Sequence, residues 1–440
     1  MPTMRRVAVI GSGISGLSVV HGLAGHAHVT LFEAGTYFGG HTHTVDVTLE
    51  GITHGVDTGF LALNEHTYPE LLRLLHELDI PIAKSDMSFS VQVPDLGLEW
   101  SGNDHLNTVF AQRRNLLRPR FWRMLADLLR FNRIATALAR EGRETELDES
   151  IDAFLRRHRF SAEFRDWYFL PMIGSIWSCP PDQMLRFPVA TMIRFCHNHG
   201  LLQVANRPQW YTVRDGARRY VEKMLAFVPD ARLNTPVRSV RRLSDGHVDA
   251  GAVVATDAGT ERFDEVVMAC HSDQSLALLT DPTPAETRVL GAIRYHRNRA
   301  VLHTDTSVLP KGRRAWAAWN YERTTRAVGS EAAVCLHYLL NRLQPLPFST
   351  PVLVSLNPVA APRADTVLGA FDYDHPVFDM AAIAAQQHVA ALQGTRRTWF
   401  CGAWTRYGFH EDGLMSGLAV CDGLRARLTV DAAAPEREVA

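Results

Sequence analysis

A glycine-rich turn near the N-terminus constrains the fold more than any other feature of this 440-residue chain. Residues 5–10 form an apolar run that predicts a buried strand, and the sequence Gly11-Ser12-Gly13-Ile14-Ser15-Gly16 follows directly. Residues 12–24 have a helical pattern, and residues 28–33 predict a second strand. A strand, a helix and a strand within about 30 residues form a βαβ unit, which indicates a parallel sheet.

Each glycine of this turn has a physical task. Gly11 permits the tight turn, Gly13 lets a pyrophosphate approach the backbone, and Gly16 lets the helix pack closely on the strand. Glu33 closes the second strand 17 residues after Gly16, where a carboxylate accepts hydrogen bonds from ribose hydroxyls and repels a 2′-phosphate. The pattern predicts a dinucleotide at the helix N-terminus, either NAD or FAD. A glycine turn in an unrelated α/β domain is the alternative.

The next segment favours FAD. Residues 39–44, Gly-Gly-His-Thr-His-Thr, and residues 56–60, Val-Asp-Thr-Gly-Phe, resemble the flavin-containing amine oxidase and phytoene desaturase superfamily. The resemblance implies FAD, with its diphosphate against the Gly39-Gly40 turn. His41 stands where the superfamily usually has Arg or Lys. Because histidine is only partly charged near pH 7, the phosphates are expected to depend more on backbone amides.

The C-terminal part provides a second match. Residues 399–404 and 408–417 resemble the closing FAD motif of the superfamily, in which a helix N-terminus points at the flavin. Ala403 follows Gly402 where an acidic residue is usual, and Asp412 is the expected substitute. Val237 stands where the superfamily places a backbone contact to adenine. The residues predicted to contact the cofactor are Gly11, Ser12, Gly13, Ile14, Ser15, Gly16, Glu33, Ala34, Gly39, Gly40, His41, Thr42, Gly59, Phe60, Val237, Gly402, Asp412, Gly413 and Leu414.

The predicted fold class is α/β, with a Rossmann-type FAD-binding domain and an α+β substrate domain that is discontinuous in sequence. Residues 1–85, 205–290 and 390–428 are assigned to the FAD-binding domain, and residues 86–204 and 291–389 to the substrate domain. The substrate domain is expected to contain an antiparallel sheet and an inserted helical part over about 105–200. Runs at 237–240, 248–255 and 266–269 are expected to return to the first sheet, and 429–440 to form a loose tail.

Charge and cysteine usage exclude several classes of protein. The chain has 46 Lys+Arg and 47 Asp+Glu, a net charge of −1, which argues against a general nucleic-acid binder. The six cysteines show neither zinc-site nor disulfide spacing, so we expect them to be reduced and buried, with no metal site. The N-terminus lacks the pattern of a secretory signal, and no run approaches about 18 apolar residues. These features predict a cytoplasmic protein, soluble or peripheral on the inner face of the membrane.

Residues 111–140 depart from this balance, with eight arginines against one aspartate, a net charge of +7. Leucine and aromatic residues alternate with the arginines. A basic helix with an apolar face is typical of a helix that lies at a membrane surface. The alternatives are a solvated cationic face over an ordinary core helix, or an oligomer contact.

Other segments indicate a subgroup. Residues 295–305, 319–321, 341–344, 356–358, 375–376 and 408–413 resemble a bacterial group of FAD-dependent oxidoreductases encoded beside fatty-acyl-phospholipid methyltransferases of the cyclopropane synthase type. One branch of that group is similar to the desaturases of furan fatty acid formation. The resemblance implies desaturation of a methyl-branched monounsaturated acyl chain to a conjugated diene, and a methyltransferase as partner.

Such a desaturation needs hydride delivery to flavin N5 and a base for a second proton. His410, Glu411, His43 and Tyr407 are the predicted catalytic or pocket-wall residues. Oxidation of an amine is the runner-up, but the 295–305 strand, where the superfamily's amine oxidases have a lysine, contains none. An accessory flavoprotein of a lipid methyltransferase is the third reading.

Overall fold

The computed structural model describes residues 4–102, 106–203, 207–243, 251–323 and 334–433. Its strands are β1 Arg6–Ile10, β2 His28–Phe32, β3 Thr44–Leu49, β4 Ile52–Asp57, β5 Leu63–Asn64, β6 Ile82–Ser85, β7 Phe89–Val93, β8 Leu98–Ser101, β9 Trp210–Val213, β10 Asp230–Arg232, β11 Val237–Arg242, β12 Ala252–Thr256, β13 Gly259–Phe263, β14 Glu265–Met268, β15 Arg294–His303, β16 Trp319–Glu322, β17 Cys335–Leu339, β18 Leu353–Leu356, β19 Val367–Val377 and β20 Thr398–Phe400. Its α-helices are α1 Ile14–Leu23, α2 Pro69–Glu77, α3 Leu106–Val109, α4 Pro119–Glu141, α5 Ile151–Arg157, α6 Ala162–Phe164, α7 Leu170–Trp177, α8 Pro181–Met184, α9 Val189–Asn198, α10 Arg218–Leu225, α11 Ser272–Leu278, α12 Pro284–Leu290, α13 Leu340–Leu343, α14 Met380–Gln386 and α15 His410–Ala433.

A five-stranded parallel sheet carries the glycine turn, in the order β10-β2-β1-β14-β20. Four of the five residues of β1, and four of β2, are buried. Such continuous burial is typical of parallel strands that are covered by helices on both faces. Helix α1 connects β1 to β2, so the predicted βαβ unit and the α/β class are confirmed.

The return of the chain to this sheet differs from the prediction. Of the runs at 237–240, 248–255 and 266–269, only the last is a strand of the parallel sheet, β14. Strands β11 and β12 form a separate antiparallel sheet with β13. Strand β11 contains both buried and exposed residues, which suits a sheet with one solvent face. Residues 248–250 lie outside the described part of the chain.

A seven-stranded sheet, in the order β19-β15-β18-β17-β16-β7-β8, forms the second layer. Neighbouring strands are antiparallel except β16 and β7, which are parallel. Its strands all come from segments predicted for the substrate domain, and those of the parallel sheet from segments predicted for the FAD-binding domain. Strand β16 begins at Trp319, after a 3₁₀ turn at 313–315.

The helical part, α3 to α9, packs an aromatic core. Phe121, Met124 and Phe131 of α4 are fully buried in that core, so much of the apolar face predicted for residues 111–140 covers the protein interior. Other apolar side chains of this segment are exposed: Leu117 by 87%, Leu129 by 58% and Trp122 by 48%. The segment therefore combines a core-packing face with an exposed face that bears both arginine and large apolar residues.

The end of the chain is helical further than predicted. Helix α14 ends at Gln386, and a 3₁₀ turn follows at 389–392. Helix α15 runs from His410 to Ala433, so residues 429–433 of the expected loose tail are helical, and 434–440 lie outside the described residues. The cysteines carry no disulfide, and all are buried except Cys270, which is partly exposed. Within the described residues, no helix is long and apolar enough to cross a membrane.

Candidate cofactor and substrate site

The glycine turn forms one end of a cavity of about 760 Å³. Gly11 has φ +105°, and a Cβ there would lie 2.8 Å from the Ala269 carbonyl oxygen; a Cβ on Gly16 would lie 2.0 Å from the Gly11 carbonyl oxygen. These two glycines are required by packing. Gly13 differs, because a Cβ there would meet no atom within 4 Å. The open space in front of Gly13, at the N-terminus of α1, is the space that a pyrophosphate needs.

Glu33 lies at the end of β2 with its carboxylate in the cavity wall. The Ser12 amide and hydroxyl donate to its Oε2 at 3.0 and 2.5 Å, and the Gly35 amide donates to its Oε1 at 2.7 Å. These bonds hold the carboxylate in one orientation. A carboxylate has about four lone-pair sites, so it still has capacity to accept from ribose hydroxyls.

His41 lines the cavity beside the Gly39-Gly40 turn, and its Nε2 is buried without a hydrogen-bond partner in the described structure. The rings of His375 and His271 lie 5.3 and 6.4 Å from its own. Burial, followed by these neighbouring imidazoles, holds the pKa of His41 well below its usual range. The imidazole is therefore neutral, whereas the sequence predicted partial charge. Its orphan nitrogen fits a contact to a bound ligand.

The segment from β20 to the start of α15 forms another part of the cavity wall. Gly402, Ala403 and Trp404 line the cavity after β20, and His410 lines it at the first position of α15. Asp412 does not line it: its carboxylate accepts from the Phe409 amide at 3.0 Å, and burial raises its pKa to about 6. The structure thus places Asp412 at the start of the helix rather than on the cavity wall where a substitute for the missing acid would lie.

Fourteen predicted cofactor residues line the cavity: Gly11, Ser12, Gly13, Ile14, Ser15, Glu33, Ala34, Gly39, Gly40, His41, Gly59, Phe60, Val237 and Gly402. The other five, Gly16, Thr42, Asp412, Gly413 and Leu414, do not line it. A Cβ on Gly413 would lie 2.8 Å from Ile14 Cγ2, so that glycine serves the contact between α15 and the glycine turn. The open turn, the fixed carboxylate and the orphan imidazole together fit FAD.

His410 is the predicted catalytic residue that the structure places in the cavity. Its ring stacks on Phe60 with 4.0 Å between centroids. Its Nε2 lies 2.6 Å from the Tyr220 hydroxyl and 3.3 Å from Thr42 Oγ1. Burial lowers the pKa of His410 to about 3, so the imidazole is neutral at neutral pH.

The other three predicted catalytic residues do not line the cavity. The Glu411 carboxylate accepts from the Glu70 and Leu71 amides at 2.8 and 2.9 Å, which caps the first turn of α2. His43 Nδ1 lies 3.0 Å from both the Tyr373 and the Thr58 hydroxyls, and its ring stacks on Tyr37. The Tyr407 carbonyl accepts from Trp177 Nε1 at 3.3 Å, and the Tyr407 side chain is partly buried against the core.

The cavity extends beyond the cofactor residues into a section with mainly apolar walls, which we call the apolar section. Its residues come from β7, α7, α9, β9, β16 and β17 and from the loops before β7, after α9 and before α15: Met87, Phe89, Met172, Ile176, Phe195, Leu201, Trp210, Trp319, Tyr338 and Phe409. Sequence reasoning did not identify these residues as a site. Their shared signal was only an apolar or aromatic side chain, which core positions share.

Charged groups are scarce in the cavity wall. Glu33 and Asp374 are the carboxylates among its lining residues, and neither lysine nor arginine lines it. The whole chain has three lysines, Lys84, Lys223 and Lys311. The Lys223 ammonium donates to the carbonyl oxygens of Leu78 and Asp79. A lysine beside the reacting centre is therefore absent from the described cavity.

The lowered pKa values of buried histidines predict how the free energy of unfolding depends on pH. Burial lowers the pKa of five of them to about 4 or 3: His43, His199, His303, His375 and His410. Each stabilises the fold above its ordinary pKa of about 6.5 and loses that contribution as pH falls towards its folded value. Burial raises the pKa of Asp57 and Asp412 to about 6, which acts in the opposite direction between about pH 4 and 6. Against the lowering effect of burial, Cys335 and Glu322 raise the pKa of His337 to about 9, which also favours the fold as pH falls.

Since five groups oppose three, we expect the melting temperature to fall as pH decreases from 7 to 5. Thermal unfolding at constant ionic strength measures this. A melting temperature that rises over that interval would contradict the assignment of neutral, buried histidines.

Comparisons with known proteins agree with this architecture. The sequence model of the family described as flavin containing amine oxidoreductase matches residues 14–319. No match is found among curated proteins. Putrescine oxidase bound to putrescine is similar in structure, with 17% identity, a TM-score of 0.68, and coverage of 97% of this chain and 100% of that one. Cyclohexylamine oxidase from Brevibacterium oxydans IH-35A has 16% identity and a TM-score of 0.67, over 97% and 100%.

The CLA-producing fatty acid isomerase from P. acnes also matches, with 15% identity and a TM-score of 0.64 over 97% of this chain and 98% of that one. At these identities the structural likenesses concern the fold.

Proposed function

The chain belongs to the flavin-containing amine oxidoreductase family, and from this premise we propose that this FAD-dependent oxidoreductase desaturates methyl-branched monounsaturated acyl chains of phospholipids. FAD, when bound, accepts a hydride from a carbon whose C–H bond is activated, and an alkene supplies such allylic hydrogens. The product would be a conjugated methylated diene. The observation that carries the proposal is the apolar section beside the cofactor residues.

The walls of the apolar section suit an acyl chain. Phe195 and Phe409 stack with 4.8 Å between ring centroids, and Trp319 and Tyr338 meet edge to face at 5.1 Å. Methionines supply adaptable apolar contacts around these rings. Burial of apolar surface stabilises such a complex by about 25 cal/mol per Å². The fatty acid isomerase among the similar structures has the same fold and, by its name, acts on a fatty acid.

His410 is the proposed acceptor of the second proton. It is neutral and faces the cavity, and the Tyr220 hydroxyl at 2.6 Å orients its ring. The hydrogen-bonded chain from His410 to Tyr220 and Thr42 offers the proton a path away from the substrate. Phe60, stacked on the ring, keeps the imidazole in place and excludes water from that side.

Amine oxidation fits the same family, and two of the similar structures are amine oxidases by name. The carboxylates of the cavity wall that could pair with a cationic amine are, however, Glu33, at the predicted ribose, and Asp374. The scarcity of negative charge in a mainly apolar wall makes desolvation of an ammonium group costly. The lipid substrate is therefore the better match to these walls.

Anaerobic mixing of the purified holoenzyme with phospholipids tests the proposal. We expect vesicles with methylated monoenoic chains to bleach the yellow flavin absorbance, with unmethylated monoenes as the matched control, and mass spectrometry to find a product two hydrogens lighter. Bleaching of the flavin by an amine such as putrescine, and not by these lipids, would contradict the lipid proposal. Bleaching by neither would indicate an accessory role beside a methyltransferase.

We also propose that the exposed apolar and arginine side chains of 113–122 dock the enzyme on anionic membrane surfaces. Within the segment, the Leu116 carbonyl accepts from Trp122 Nε1 at 2.9 Å, and both side chains are exposed. The Leu96 carbonyl accepts from Arg118 at 3.4 Å, which links the exposed Leu96 to this segment. Anionic headgroups attract arginine while apolar side chains enter the acyl boundary. Each basic residue near such a surface contributes about 1 kcal/mol.

Co-sedimentation with phosphatidylglycerol vesicles measures this docking. Arg113→Glu and Leu117→Glu are each expected to weaken vesicle binding at least about tenfold. Rising salt concentration should weaken vesicle binding by the wild-type protein. Leu368→Glu is the matched control, because Leu368 is an exposed leucine of β19 outside this segment. If wild-type protein stays in the supernatant at low salt, this face is not a membrane contact.

A further inference from the structure

Three potential metal ligands meet on the seven-stranded sheet outside the cofactor cavity. Glu322 ends β16, and Cys335 and His337 lie on β17, with Glu322 directly opposite Cys335 in the antiparallel register. Side chains alternate between the faces of a strand. Trp319 and Tyr338 are in register with each other and line the cavity, so the three residues, at odd spacing from them, occupy the reverse face.

The ligand atoms of this cluster have the spacing of a metal site. His337 Nε2 lies 3.1 Å from Glu322 Oε2 and 3.4 Å from Cys335 Sγ, and Cys335 Sγ lies 3.9 Å from Glu322 Oε2. A tetrahedral zinc ion with ordinary bond lengths of about 2.0–2.3 Å places neighbouring ligand atoms roughly 3.4–3.6 Å apart. The observed separations bracket that range, so a zinc ion fits with sub-ångström adjustment.

Neighbouring side chains orient the His337 ring for metal binding. His337 Nδ1 lies 2.6 Å from Ser355 Oγ on β18, which in turn lies 2.7 Å from His303 Nε2 on β15. The Asp305 amide donates to His303 Nδ1 at 3.0 Å, so His303 Nε2 carries the proton and donates to Ser355. Ser355 Oγ can then accept from His303 and from His337 Nδ1. That arrangement leaves the Nε2 lone pair of His337 directed at Glu322 and Cys335, as metal-bound histidines require.

We propose that Glu322 Oε2, Cys335 Sγ and His337 Nε2 bind one Zn²⁺ ion. Cys335 binds as the thiolate, and its proton passes to solvent. Glu322, whose side chain is 20% exposed, marks the side from which the ion enters and where water supplies the fourth ligand. Thiolate and imidazole together select zinc over magnesium or calcium, which prefer oxygen ligands.

The ion would join β16 to β17 behind the wall that Trp319 and Tyr338 present to the cavity. Its effect is therefore on the stability of this sheet and not on the flavin chemistry. The sequence predicted no metal site, because the ligands are distributed over two strands and their spacing resembles no zinc motif.

Metal binding by the FAD-loaded protein tests this inference without any substrate. After treatment with EDTA and desalting, we expect titration with ZnCl₂ to restore one zinc per chain, measured by mass spectrometry of the metal, and to raise the melting temperature. Titration with CoCl₂ should produce a thiolate-to-cobalt charge-transfer band in the difference spectrum. If the wild-type protein shows neither zinc binding nor the cobalt band, the proposal is overturned, and Glu322, Cys335 and His337 form only a hydrogen-bonded cluster.

Variants locate the site. Cys335→Ala should abolish the cobalt band, and Glu322→Gln should weaken zinc binding at least about tenfold, while flavin content stays at the wild-type level. Cys421→Ala is the matched control, since it removes a buried thiol of α15 outside the cluster. If Cys335→Ala fails to fold, Glu322→Gln decides, because its side chain is partly exposed. Undiminished zinc binding in Glu322→Gln and Cys335→Ala would contradict the assignment.

Discussion

A Gly13→Val substitution is expected to weaken FAD binding strongly and to leave the fold of the apoprotein intact. Gly13 has φ −63° and ψ 174°, which valine adopts without strain, and a Cβ there meets no protein atom within 4 Å. The added methyl groups would instead occupy the space at the α1 N-terminus that the diphosphate needs. Loss of close contact with the backbone amides should weaken FAD binding at least about tenfold, or 1.4 kcal/mol.

Flavin released per chain after denaturation, together with circular dichroism, measures this effect. Gly16→Ala is the matched comparison within the same motif, because its Cβ would lie 2.0 Å from the Gly11 carbonyl oxygen and must displace backbone. We therefore expect Gly16→Ala to lose both flavin and stability. Wild-type flavin content in Gly13→Val would place the cofactor elsewhere than at this turn.

A His410→Gln substitution is expected to lower turnover by about 10²- to 10⁴-fold, the usual contribution of a positioned acid–base group. Flavin content should be unchanged, because glutamine keeps a polar group near Tyr220 and the backbone at the start of α15 is unaltered. Since burial holds the pKa of His410 near 3, its neutral form persists between pH 5 and 8, and wild-type turnover should show no loss from its protonation there.

His43→Gln is the matched control. His43 is also a histidine of lowered pKa, but it bonds Tyr373 and Thr58 outside the cavity wall. We expect that variant to keep near wild-type turnover and to lose some stability. The assay uses the acyl substrate that bleaches the flavin. Full turnover by His410→Gln would reduce His410 to a wall residue and leave the proton acceptor unassigned.

The cofactor end of the site could be predicted because its determinants are local. The run from β1 through Gly16 to Glu33 specifies strand, turn and helix within one βαβ unit, so motif and geometry coincide. His410 and Glu411 show the limit of such reasoning. They are adjacent in sequence, but successive helical residues point about 100° apart, so His410 faces the cavity and Glu411 caps α2.

Elements that depend on distant partners could not be predicted. Strand β19 contains Gly369, Asp372 and Pro376, which argue against a strand when read alone. It forms because, among the described strands, it is the edge of its sheet and pairs with β15 alone, where polar side chains and a proline are tolerated. Likewise, an Arg-rich helix predicts amphipathicity, but only packing showed that Phe121 and Phe131 are core and Leu117 is not.

The order of strand, glycine turn, helix and acidic strand end was enough to establish a nucleotide-binding α/β fold, because backbone sterics and helix amides act within a few residues. Tertiary structure alone decided which of the many apolar and titratable side chains line the cavity, and that Glu322, Cys335 and His337 meet. The physical reason is that sheet register and helix packing, which join residues far apart in the chain, set those distances, and no local pattern encodes them.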